Sequence, residues 1–168
     1  MPRIAGIDKS GTPVGIVSSI AYDSALPAGT LLCDGSSVSQ TAYPILYAAI
    51  GTKWGTAGAG FFNLPDLRGK FIRGRDHGAG NDPDVGSRTA QDSGGETGDN
   101  VGSVQGHQLV SHTHNTGTLC PAAWTSAADL AAFPNNVTTP LKTVDIGYTG
   151  GNETRPINAY CNYVIAYL

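Results

Sequence analysis

Phe61-Phe62-Asn63-Leu64-Pro65-Asp66-Leu67-Arg68-Gly69-Lys70-Phe71-Ile72-Arg73-Gly74 is the stretch whose reading decides the fold. Phe62, Leu64, Leu67, Phe71 and Ile72 offer apolar anchors, while Pro65 and the glycines force sharp changes of direction. Asp66 beside Arg68, Arg73 and Arg75 reads as an internal lattice of ion pairs and hydrogen bonds that fixes an irregular backbone, in preference to a binding patch.

Working outward, the segments before this stretch are short and turn-bounded. Val14-Gly15-Ile16-Val17-Ser18-Ser19-Ile20 is a β-branched strand that ends towards a turn at Leu26-Pro27-Ala28-Gly29. Thr30-Leu31-Leu32-Cys33 is a second strand, closed by the turn signal Asp34-Gly35-Ser36. Tyr43, Leu46, Tyr47 and Ile50 then fall at i, i+3, i+4 and i+7, which predicts one helix with a core-facing stripe. Thr41 is placed to cap it, Pro44 sits in its first turn and Gly51 at its stop. At the far end, Tyr163, Ile165 and Tyr167 alternate with Asn162, Val164 and Ala166, the pattern of a closing strand.

Composition agrees with a β-rich chain. The 168 residues include 23 glycines, about twice the usual ~7%. So many glycines leave room for turns and little for long helices. A net charge of −3 with 14% charged residues gives no footprint for nucleic acid or an anionic membrane surface. No 18-residue apolar run and no signal-type leader is present, so the expectation is synthesis in the cytoplasm without membrane insertion. Cys33, Cys120 and Cys161 form no Cys-X-X-Cys and are expected to be small buried side chains made in a reducing compartment.

Residues 75–105 hold almost no apolar side chain, so they are expected either to be disordered or to wrap around neighbouring chains. Asn81-Asp82-Pro83-Asp84 and Glu96-Thr97-Gly98-Asp99 lack the spacing of a calcium loop and read as solvated turns. Next comes Ser111-His112-Thr113-His114. On a strand, residues two apart share a face, so His112 and His114 would aim two imidazoles the same way. By spacing alone an exposed or hydrogen-bonded pair is the commoner case. Two ligands do not complete a site, but three copies about a three-fold axis would bring six nitrogens, enough for an octahedral divalent ion.

Four motifs follow one another in a specific order: Gly15-Ile16-Val17; Pro27-X-Gly29-X-Leu31-X-Cys33-Asp34-Gly35; Tyr43-Pro44-X-Leu46-X-X-Ala49-Ile50-Gly51; and Phe62-Asn63-Leu64-Pro65-Asp66-Leu67-Arg68-Gly69. That order resembles the tail collar domain found in tail fibres of tailed bacteriophages. It departs from the family at Thr30, where a tryptophan is usual. The Ser-His-Thr-His stretch and Glu153-Thr154-Arg155-Pro156-X-Asn158 resemble the distal parts of such fibres.

The resemblance implies a fold that is mainly β with one short α-helix and long loops, in an intertwined homotrimeric tail-fibre tip with a collar domain. The expected organisation is a linker or shaft end at 1–13, a collar domain at 14–75 and a tip at 76–168 that closes with a strand at 157–168. His112 and His114 are the implied ligands of one divalent transition metal per trimer, iron or zinc, with nickel allowed. Glu153 and Arg155 are expected to hold the closing strand by buried hydrogen bonds.

Trp124, Phe133, Asn135, Asn136 and Tyr148 mix rings with amides and hydroxyls, a composition suited to sugar recognition and equally to filling the tip's core. The implied function is a receptor-binding protein at the distal end of a tail fibre on a virion. Its partners would be a host surface glycan or outer-membrane receptor and other tail or fibre-shaft proteins. A depolymerase would need two carboxylates held across a groove. Beyond His114 the acids are Asp129, Asp145 and Glu153, and none declares itself, so the expectation is no enzyme. A purely structural trimerisation cap is the remaining alternative.

Overall fold

Tyr43, Leu46, Tyr47 and Ile50 line one side of a helix, and that helix forms at Pro44–Ile50 (α1) in a computed structural model that describes residues 11–111 and 153–167. Leu46 and Ile50 are buried, and Tyr43 and Tyr47 pack partly buried beside them. Pro44 opens the helix, where a missing N–H costs nothing, and Gly51 stops it at φ +57 with its N–H on the Tyr47 carbonyl. Thr41 does not cap it. Tyr43 occupies that position without a side-chain cap, and the Thr41 hydroxyl bonds the Ser39 hydroxyl at 2.8 Å instead.

The strands are short: β1 at Val17–Ile20, β2 at Thr30–Leu32, β3 at Ser37–Ser39 and β4 at Phe61–Asn63. β1 starts later than its β-branched run suggests. Gly15 turns the chain at φ +88, and the Ile16 N–H returns to the Pro13 carbonyl. Between β1 and β2 the turn ends as its residues dictate, with Gly29 at φ +81 and both the Thr30 N–H and hydroxyl on the Pro27 carbonyl. Further on lie a 3-10 turn at Val85–Ser87, β5 at Thr89–Ala90, β6 at Ser103–Val104 and β7 at Asn162–Ala166.

β7 is the middle strand of a three-stranded sheet ordered β1-β7-β2, antiparallel to both neighbours. Within it Val164, Ile165 and Ala166 are all buried, a departure from the simple alternation its sequence suggests. β3 pairs with β4, and the pairing continues irregularly where Leu64 N–H meets the Ser36 carbonyl and Leu67 N–H meets the Cys33 carbonyl. Pro65, which has no N–H to give, sits buried between these two bonds.

Phe62 and Leu64 therefore do serve as anchors, at 0% and 2% exposure, in a core with Val14, Cys33, Leu46, Ile50 and Ile165. Phe71 and Ile72 do not. They stand 61% and 57% exposed, beyond the point where the 61–67 segment leaves the core. Cys33 is buried, and desolvation beside the Asp34 charge pushes its thiol pKa up to about 12. Cys161 corrects the expectation of burial, since it is exposed, and Cys120 lies outside the described residues.

The chain divides into two compact units, Met1–Gly106 with Ile157–Leu168, and His107–Pro156. The second unit is thus inserted between β6 and β7. No helix among the described residues is long and apolar enough to cross a membrane.

Candidate functional site

The segment that carries the chain from the core to the inserted unit is built on side-chain hydrogen bonds where apolar contacts are missing. Residues 75–105 were expected to need disorder or neighbouring chains. They are not disordered, and within the single chain they tie themselves down. Gln91 is the first knot: its Oε1 accepts the Asp66 N–H at 2.6 Å, and its Nε2 donates to the Trp54 and Leu64 carbonyls at 3.3 and 3.2 Å. One amide thereby satisfies two backbone groups of the irregular stretch after β4 and one of the loop before it. Asp92 is the second, accepting from Asn63 Nδ2 at 2.8 Å and from the Ser93 N–H at 2.7 Å.

Arg88 is the third and largest knot. Its guanidinium donates to the Ser103 hydroxyl at 2.9 Å, the Ser103 carbonyl at 3.1 Å and Gln105 Oε1 at 3.2 Å, and lies 3.5 Å from Asp82 Oδ2. Gln105 in turn donates to the Asp84 carbonyl and the Ser87 hydroxyl. These bonds fix β6 against the 3-10 turn immediately before His107, where the inserted unit begins. Asp82 is 7% exposed and also 3.6 Å from Arg73 Nη2, so within Asn81-Asp82-Pro83-Asp84 it alone departs from the expected solvated turn, the other three being exposed. Asp99 likewise has a partner in Arg75, at 3.4 Å.

The predicted lattice exists, with a different wiring. Asp66 holds Arg68 in a two-point pair at 2.8 and 3.0 Å, with Lys70 nearby, while Arg73 and Arg75 go to acids further along the chain. Arg68 beside it holds the Asp66 carboxyl below the ordinary aspartate value of 3.8. Asp76 is lowered too, by accepting backbone N–H groups from Gly80, Asn81 and Asp82.

A carboxyl whose pKa is depressed by folding stabilises the fold above its unfolded value, and that contribution goes as pH falls through the folded value. The urea midpoint is therefore expected to drop between pH 6 and pH 3. The drop should be smaller in Asp66→Asn with Asp76→Asn, and equal drops in the two proteins would remove these groups from the account.

His112, His114, Trp124, Phe133, Asn135, Asn136 and Tyr148 lie outside the described residues. Of the other histidines, His107 is exposed at the start of the inserted unit, and His77 takes φ +54 with its N–H on Asp99 Oδ1. Among the described residues no three His, Cys, Asp or Glu side chains gather as a metal site. Glu153 and Arg155 pair with each other at 3.3 Å, both well exposed, and so do not make the expected buried bonds to the closing strand. Arg88, Gln91 and Gln105 were missed by sequence reasoning. The available signal was the presence of long hydrogen-bonding side chains in a run otherwise made of small ones.

Residues 15–72 match the phage tail collar domain. The chain is 31% identical over 95% of its length to protein RhiB of Rhizobium leguminosarum bv. viciae, covering 73% of that protein. It is 31% identical over 94% of its length to the StfE protein of Escherichia coli strain K12, covering 89% of it. The same identity relates 95% of this chain to the short tail fiber protein gp12 of Enterobacteria phage T4, of which the match spans 36%. With matches over nearly its whole length, and with the β1–β4 core and α1 built by the residues of the collar match, the chain belongs to the phage tail collar domain family and is related to tail fibres.

Proposed function

We propose that this protein is the homotrimeric tip of a tail fibre, attached to a virion, that adheres to a bacterial surface glycan or outer-membrane receptor. What supports the reading is the sequence His112-Thr113-His114 falling between β6 and β7 in a chain related over 95% of its length to a short tail fiber protein. Two imidazoles are the right donors for iron, zinc or nickel but too few to complete the site, so two further chains would supply the rest. A bound divalent ion would link the three chains and make their association hard to reverse. Trp124, Phe133, Asn135, Asn136 and Tyr148 belong to the same unit and are the proposed receptor contacts. Weak sites in three copies would act together.

Native mass and metal analysis test the assembly. Three chains and one metal ion are expected, and His112→Ala with His114→Ala is expected to lose the metal and lower the melting temperature by roughly 10 °C or more. A metal-free monomer, or a double variant that keeps the ion, would end this reading. Incubation with host surface glycan separates the functions: saturable binding without released saccharide supports adhesion, and product accumulating with time would make the protein a depolymerase. Binding that survives loss of Trp124 and Tyr148 would remove them as receptor contacts, and an intact trimer that binds no host surface would favour a structural cap.

A further inference from the structure

Three tracts join no helix or strand, and each exposes large apolar side chains: 70–75, 106–111 and 153–161. Phe71 and Ile72 are adjacent and 61% and 57% exposed, and Leu109 and Val110 are adjacent and 60% and 86% exposed. Ile157 and Tyr160, before β7, reach 106% and 93%. Adjacent side chains on a non-helical backbone leave it in different directions. Each adjacent pair is therefore apolar on more than one side, unlike a surface strand that shows water one face only. A flat partner covers one side of such a tract, whereas a position between two neighbours covers both.

We infer that Phe71, Ile72, Ile157 and Tyr160 are packing surfaces for further copies of this same chain, each tract lying between neighbouring chains. The inference rests on the trimer proposed above and adds where its chains meet. Area supports a second copy as the occupant. At roughly 150–250 Å² for each aromatic side chain, and somewhat less for each isoleucine, these four side chains offer on the order of 500 Å². That is more than half of the ~800 Å² that a stable interface takes from each partner. Side chains so exposed on one isolated chain are also a liability for aggregation unless covered.

Hydroxyl-radical footprinting of the intact protein, with native mass measured on the same sample, tests this. Tyr22, 46% exposed on the collar unit, is the internal control. In a three-chain assembly Phe71, Ile72, Ile157 and Tyr160, each rate divided by the intrinsic reactivity of its residue type with the radical, are expected to be modified at least about five-fold more slowly than Tyr22, as desolvated interface residues are. Tyr160→Glu is expected to shift the mass towards single chains while far-ultraviolet circular dichroism keeps the wild-type spectrum. A three-chain mass with all four residues modified as fast as Tyr22 would overturn the inference and leave the trimer standing. A single-chain mass for the wild type would overturn both.

Discussion

Arg88→Met is expected to lower the unfolding free energy by about 3 kcal/mol, near the lower end of the cost of removing one partner from a buried ion pair. The lower end applies because Asp82 keeps Arg73 at 3.6 Å after Arg88 is gone. Three acceptors would still lose their donor: the Ser103 hydroxyl, the Ser103 carbonyl and Gln105 Oε1. Methionine restores the aliphatic length of arginine, so the loss reports the guanidinium and not a cavity. Urea unfolding at equal chain concentration gives the number, since stability of an assembling protein depends on that concentration. A change below about 0.5 kcal/mol, the usual size for a surface substitution, would mean that β6 is held by something other than Arg88.

Gly102→Ala is expected to cost more than about 4 kcal/mol or to prevent folding, a size reached only when a specific steric or polar rule is broken. Gly102 is buried at φ +103, a backbone angle that side chains of the L series rarely adopt. A Cβ there would lie 2.2 Å from the carbonyl oxygen of Lys53 and 2.8 Å from its carbon. Neither atom is the movable end of a side chain. The same carbonyl accepts the Glu96 N–H, so displacing it would break a second contact between the 52–56 turn and the polar loop. Gly86→Ala is the control, because Gly86 is exposed, has no positive φ and has nothing within 4 Å of an added Cβ. It is expected to stay within about 1 kcal/mol of wild type. Two alanine substitutions of equal stability would remove the close approach to Lys53 as a reason for the glycine.

Much of the collar core was legible because its signals are local. The Tyr43-Leu46-Tyr47-Ile50 stripe, the stop at Gly51 and the Gly29 turn each follow from a few neighbouring residues, and each is where it was expected. The N-cap was misplaced, since Thr41 finds a hydroxyl partner in Ser39 before the helix begins. Phe71 and Ile72 were misjudged as anchors for a different reason. Apolar character says that a side chain wants cover, and it does not say that the same chain supplies it. The order of 75–105 was not legible at all. It rests on Arg88, Gln91 and Asp92 reaching groups far away in sequence, such as Ser103, Leu64 and Asn63, and no local period announces such bonds. Of the candidate site, the histidine pair and the aromatic residues were readable as chemistry, and they lie outside the described residues.

The position of β7 has a consequence for how the molecule is made. β1 and β2 do not touch as strands; each waits for a partner that the ribosome delivers only after the inserted unit has emerged. A polypeptide that stalls before Asn162 leaves both without a mate, so the sheet cannot close until translation has passed β7. The same arrangement is forgiving of length. Closing a flexible connection costs only about 0.6 kcal/mol more for each doubling, so the insert can grow, shrink or be exchanged while its two attachment points stay where they are.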